Sequence, residues 1–149
     1  MPTLSGRCLI DTNVLLYATL RDDPRHEAAM SVIEQARAGA FDMCVSVQNL
    51  AEMYPNLTGP KRKPSDSPRL ARRKIESIAR LRFVQLIPVD DSVILKTLEL
   101  CEDYGVRRQD YFDMQIVAAM LINNVPTLAT ENATDFRVVK EIRTVNPFD

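Results

Sequence analysis

Short apolar runs alternate with helix-forming stretches along almost the whole chain, and this alternation restricts the fold more than any other feature. Five runs have the length and composition of buried strands: residues 8–10, 43–45, 83–87, 127–129 and 142–145. Helix signals fill the gaps between them. A short helix starts at Thr12. Asp23 and Pro24 read as N-cap and first helical position, with Gly39 as the stop and Ala28, Val32 and Ala36 on one stripe. Ser46 caps a helix with the stripe Val47, Leu50, Tyr54 and Leu57, and Ser67-Pro68 starts another that runs to about Arg82. Asp91 opens a helix through Tyr104, closed by Gly105, and Asp110 opens a last one to about Asn123. Strands this short, interleaved with helices, predict an α/β fold with a mostly parallel five-stranded sheet covered on both faces. In such folds sites lie at the carboxyl ends of the strands, near a topological switch point.

Length and composition fit one domain over residues 1–149: the chain is 46% hydrophobic and 26% charged, enough to build a core without disulfide or structural metal. The longest uninterrupted apolar run, residues 116–122, falls far short of the ~20 residues that span a bilayer. The opening segment MPTLSGRCLID meets an acid before a secretory apolar core can form. These features predict a soluble, cytoplasmic chain with no membrane association.

Several chemistries drop out on residue counts. Cys8, Cys44 and Cys101 are odd in number, far apart and flanked by apolar residues, so they read as buried inert thiols. A single histidine, His26, excludes a multi-histidine metal site, and it shares no pattern with a nucleophile. Gly6, Gly39, Gly59 and Gly105 are too dispersed for a dinucleotide fingerprint or a P-loop. Carboxylates, with a hard metal, are left to carry any chemistry.

The net charge of −1 conceals an uneven distribution. Residues 61–82 hold nine bases against two acids, Asp66 and Glu76, and the rest of the chain is correspondingly acidic. A basic segment on an acidic body suggests contact with a polyanion, with Arg72, Arg73 and Lys74 as candidate contacts; a solvated helix face is the alternative. The segment begins in a loop, residues 58–68, broken by Gly59, Pro60, Pro64 and Pro68.

Four acids stand out by position. Asp11 follows the first strand in DTNVLLY, where an Asp ordinarily caps the next helix. Asp135 lies in the loop after the fourth strand, where a turn role is the default. Neighbouring strand ends of a parallel sheet bring these two close together. Asp113 shares a helical face with Val117 and Met120, a costly place for an unpaired carboxylate; the alternative is a first-turn acid serving the helix dipole, with Asp110 as N-cap. Glu52 lies with Gln48 on a polar face that, on physics alone, reads as solvated.

Taken together the strings DTNVLLY, SVQNLAEMY, DYFDMQIVAAML, LATENATDF and TVNPF resemble the PIN-domain ribonucleases, and most closely the VapC-type toxins of type II toxin–antitoxin pairs. The likeness covers nearly the whole chain, in family order and spacing. It implies a Rossmann-like three-layer α/β/α fold, a homodimer and a cognate protein antitoxin. It also implies an acidic quartet of Asp11, Glu52, Asp113 and Asp135, with Thr12, Thr130 and Asn132 as polar supports. Asp110 has no secure counterpart, and Pro55, three residues past Glu52, is expected to kink or end its helix. No counterpart matches the basic loop from Lys61.

Converging like charges raise each other's pKa and destabilise a fold unless a cation neutralises them. Oxygen-only ligands select Mg²⁺ or Mn²⁺. The expectation is therefore a metal-dependent endoribonuclease acting through a metal-activated water. Alternatives are a housekeeping RNA-processing nuclease of the same family, an inactive RNA- or protein-binding module, and a phosphotransfer enzyme using Asp11. The last of these would want a second Asp where Asn13 stands.

Overall fold

The computed structural model describes residues 3–149. Five strands form one sheet: β1 (Arg7–Ile10), β2 (Asp42–Ser46), β3 (Val84–Ile87), β4 (Thr127–Ala129) and β5 (Arg143–Val145). Their order is β3-β2-β1-β4-β5 and every neighbouring pair is parallel, so the sheet is wholly parallel rather than mostly so.

Side chains alternate between two apolar clusters, as successive strand residues must. Cys8, Ile10, Met43, Val45 and Ala129 enter one, beneath α1 (Thr12–Ala18), α2 (His26–Arg37), α3 (Val47–Thr58) and α4 (Pro68–Ala79). Leu9, Cys44, Ile87 and Leu128 enter the other, beneath α5 (Asp91–Tyr104) and α6 (Tyr111–Ile122). This is the expected three-layer α/β/α arrangement. The long apolar run belongs to α6, in which every residue from Met114 to Met120 is buried. Among the described residues no helix is long and apolar enough to cross a membrane. Cys8 and Cys44 are buried and unpaired, and burial pushes the Cys8 thiol up to about 11, well away from a reactive thiolate. Cys101, expected buried, is partly exposed on α5.

From β1 the chain moves to β2 and β3 on one side, then returns past β1 to β4 on the other. The switch point therefore lies between β1 and β4. There the Asp11 N–H donates to the Ala129 carbonyl at 3.0 Å, and the Thr130 N–H to the Val145 carbonyl at 2.9 Å.

Several local expectations need correction. Asp23 does not cap α2: its carboxylate accepts the Arg25 N–H at 2.8 Å and the Arg25 guanidinium, closing a turn that delays the helix to His26. Asp91 does open α5, and the residue before it, Asp90, is the cap, accepting the Val93 N–H at 3.1 Å. Asp110 ends a 3₁₀ turn (Arg108–Asp110), and its side chain makes no capping bond to α6. Pro55 does not end α3, which continues to Thr58. Ala51 and Pro55 are both exposed, so the carbonyl that the proline deprives of its partner is within reach of water. The expected stripe of α3 is rotated: Val47 and Tyr54 are 39% and 42% exposed, and the covered face carries Gln48, Asn49, Met53 and Leu57.

Candidate active site

Asp11 follows the last residue of β1 and caps α1, its Oδ1 accepting the Thr12 N–H at 2.8 Å. Capping is one of its four hydrogen bonds. Oδ1 also accepts from Asn49 Nδ2 at 3.2 Å, and Oδ2 accepts from Thr130 Oγ1 at 2.8 Å and from Asn13 Nδ2 at 3.4 Å. Burial pushes the Asp11 carboxyl above the usual range; the hydrogen bonds from Thr130 and Thr12 pull the other way. A buried carboxylate that accepts four bonds is held in one orientation.

Glu52 is fixed from two helices. Its Oε2 accepts from Thr12 Oγ1 at 2.9 Å and its Oε1 from Gln48 Nε2 at 2.7 Å. Thr12 Oγ1 in turn accepts from Asn49 Nδ2 at 3.0 Å, so Asn49 and Thr12 join the surroundings of Asp11 and Glu52 into one network. That network extends into α6. Gln48 Nε2 also donates to the Phe112 carbonyl at 3.0 Å, Gln115 Nε2 donates to Gln48 Oε1 at 2.7 Å, and the Tyr111 hydroxyl donates to Gln115 Oε1 at 2.9 Å. The polar face that sequence reasoning assigned to solvent is thus the face turned to the site.

Asp113 and Asp135 are held differently. Asp113 is half-buried on the first turn of α6, and Asp135 is exposed on a 3₁₀ turn (Ala133–Phe136) after β4. With Asp110 they line a cleft closed by Val106, Met114 and Val138. Among the described residues neither accepts a hydrogen bond. Burial, followed by the negative charges of Asp11, Asp110, Asp135 and Glu52, pushes the Asp113 carboxyl up to about 6. All four acids of the quartet thus surround one region, two clamped by donors and two unheld.

Of the expected supports, Thr12 and Thr130 bond directly to the acids, whereas Asn132 offers its backbone, its N–H donating to Thr130 Oγ1 at 3.0 Å. Arg72 and Lys74 are engaged elsewhere: Arg72 pairs with Glu76 at 2.8 Å, and Lys74 with the nearly buried Asp66 at 2.8 Å. Arg73 is exposed.

Among the described residues no Lys, Arg or His pairs with any of the four acids. Unneutralised, oxygen-only donors fit a hard divalent cation, although no three such side chains stand close enough to enclose an ion as they are.

The PIN domain family matches residues 8–142. The chain belongs to the PIN-domain family. Ribonuclease VapC24 of Mycobacterium tuberculosis is 30% identical to this PIN domain over 131 residues, covering 85% of this chain and 87% of the relative. Two of the solved structures that share the fold serve as examples. VapBC2 from Rickettsia felis, bound to a DNA fragment from its promoter, gives a TM-score of 0.66 at 20% identity, covering 93% of this chain and 97% of that one. VapC20 of Mycobacterium tuberculosis, described as a sarcin-ricin loop cleaving toxin, gives 0.67 at 17% identity, covering 91% and 98%. The motif resemblance to VapC-type PIN domains therefore holds.

Sequence reasoning missed the organisers of this PIN-domain site: Asn13, Asn49 and Gln115, with Gln48 noticed and dismissed. One signal was available. Gln48, Asn49 and Glu52 are three polar residues on the same side of a helix as Met53, and such a face becomes buried only when partners satisfy it.

Proposed function

We propose that this protein is a metal-dependent endoribonuclease and the toxin of a toxin–antitoxin pair, a single PIN domain acting in the cytoplasm as a homodimer. Asp11, Glu52, Asp113 and Asp135 hold Mg²⁺, with Mn²⁺ as the natural substitute. The observation that carries this reading is the convergence of four carboxylates, without a cationic side chain among them, at the switch point of a parallel sheet. When bound, a divalent cation supplies polarisation of water and of the phosphodiester, and it offsets charge on the leaving oxygen.

The chain's own part is to place the oxygens. Thr130, Asn49 and the Thr12 N–H orient Asp11, while Thr12 and Gln48 orient Glu52. Asp113 and Asp135 accept no hydrogen bond among the described residues and so are able to adjust. No side chain at the site has the activated form of a covalent nucleophile, which agrees with direct attack by water. Kinship to ribonuclease VapC24 supports RNA as the substrate.

The test is cleavage of a mixed RNA pool with Mg²⁺, with chelator, and by the Asp11→Asn variant. Cleavage by the wild type with Mg²⁺ alone is expected. Equal cleavage in chelator would exclude a metal mechanism, and equal cleavage by Asp11→Asn would exclude this site.

A further inference from the structure

The quartet does not account for the basic loop, residues 61–63. It lies across a cleft from the connection between α1 and α2. One part of the cleft, about 240 Å³, is walled by Tyr17, Arg25, Lys61 and Arg62; an adjoining part, about 430 Å³, by Arg21, Lys63 and Lys74 with Asp22, Asp23 and Asp66. Two of those acids are already neutralised, Asp23 by Arg25 at 2.9 Å and Asp66 by Lys74 at 2.8 Å. Arg21, Lys61, Arg62 and Lys63 have no ion-pair partner among the described residues, and they face the single unpaired acid Asp22. The cleft is cationic even though the chain as a whole is not.

It is also joined to the active site by direct contacts. Asn13 Oδ1 accepts the Glu131 N–H at 3.1 Å beside Asp11 and Thr130. Glu131 accepts from the Tyr17 hydroxyl at 2.6 Å and from Arg25 at 2.7 Å, and the Arg25 guanidinium lies 3.8 Å over the Tyr17 ring. With Phe148 against its edge and Arg25 on its face, Tyr17 forms a wall and offers no open stacking platform. The cleft therefore suits a chain of phosphates better than a base. On α4, Arg72 and Lys74 are each taken up by an acid, whereas Lys61, Arg62 and Lys63 have none among the described residues, Arg62 meeting only the Asn56 carbonyl at 3.5 Å.

We propose that Lys61, Arg62 and Lys63, with the cleft they form against the α1–α2 connection, hold the phosphates of the single-stranded RNA that leads to the four-acid site. This assignment rests on the nuclease reading and names the track its substrate follows.

The test measures binding of a fluorescein-labelled single-stranded oligouridylate in chelator, where no cleavage occurs, across a series of salt concentrations. Each phosphate contact adds about 0.7 to the slope of log K against log salt. The triple variant Lys61→Gln/Arg62→Gln/Lys63→Gln should lower the slope by about two, Arg62→Gln alone by about 0.7, and Arg72→Gln/Arg73→Gln not at all. Melting temperatures of these surface variants verify that each is folded. An unchanged slope for the triple variant, or flattening by the α4 pair instead, overturns the track. An unchanged slope combined with loss of neutralisation by a co-expressed inhibitor assigns the cleft to a protein. A wild type that cleaves RNA with Mg²⁺ while the triple variant keeps its slope leaves the nuclease reading standing and removes only this proposal.

Discussion

Asn49 donates one amide hydrogen to Asp11 Oδ1 at 3.2 Å and the other to Thr12 Oγ1 at 3.0 Å, across 38 and 37 residues of chain. Its own Oδ1 accepts the Ser46 N–H at 3.1 Å, so a helix-capping residue and a site organiser are the same side chain. The start of α3 and the aim of Asp11 are thus one structural fact. Because Asn49 is fully buried, any replacement must leave some of those partners unmet.

Asn49→Ala should therefore lose stability and function together. Removing a buried, satisfied amide costs about 1–3 kcal/mol through its unpaired partners. Loss of a group that orients metal-ligating carboxylates costs ~10–100-fold in metal affinity. Chemical denaturation and a Mg²⁺ titration of cleavage measure the two effects. Full stability with normal Mg²⁺ dependence would show that Asn49 organises nothing.

Asp113 sets a pH dependence whose sign follows from its raised carboxyl. Between its ordinary value near 3.8 and about 6, the folded protein binds the proton more readily than the unfolded chain does. Metal-free stability should accordingly rise as pH falls through this window, and the penalty is fully present above it. Asp113→Asn should remove that dependence and raise the metal-free Tm at neutral pH by ~2–4 °C, about 1 kcal/mol after screening by solvent. It should also abolish cleavage. Thermal melts from pH 4 to 8, in chelator, decide the matter: parallel curves for wild type and variant would mean that Asp113 does not bear the repulsion.

The relay from Gln115 to Gln48 to Glu52 predicts coupling between residues of α6 and α3. Gln48→Leu and Gln115→Leu each strand a partner, whereas the double variant removes both ends of one bond. The double-mutant cycle should give ~0.5–3 kcal/mol of interaction energy, with the double variant less destabilised than the sum of the singles. Simple additivity would mean that the two glutamines act independently.

The layered fold and its parallel sheet were legible because short apolar runs alternating with helix signals admit few packings. Asp11 was legible as a cap and, through its motif, as an acid of the site. The face of α3 was misread because Val47, Leu50 and Tyr54 weigh more on an apolar count than Gln48 and Asn49, yet the structure turns Val47 and Tyr54 outward. That choice depends on Asp11, Thr12 and Gln115, which are distant in sequence and supply the partners that make a buried amide affordable. The start of α2 escaped for a local reason: Asp23 has two ways to use its carboxylate, and Arg25 supplies the one that ends in a turn. Asp113 and Asp135 make no directional bonds, so only the fold brings them to the other acids.

The toxin reading makes a cellular prediction. An unrestrained endoribonuclease harms its own cell, so this protein should arrest growth when expressed alone and be relieved by co-expression of a small adjacent gene product. The clamped pair and the unheld pair of acids give that inhibitor a defined handle. An Arg can pair bidentately with Asp113 and reach Asp11, displacing the metal and supplying the positive charge that the site lacks. Asp11→Asn should be harmless in the cell, yet it should still bind the partner, since the rest of the contact surface is intact. Growth curves and co-purification of tagged Asp11→Asn with the partner measure both. A wild type that cleaves RNA well in vitro and is benign at high expression would exclude the toxin role. Such a result would make this PIN domain a housekeeping RNA-processing nuclease built on the same four acids.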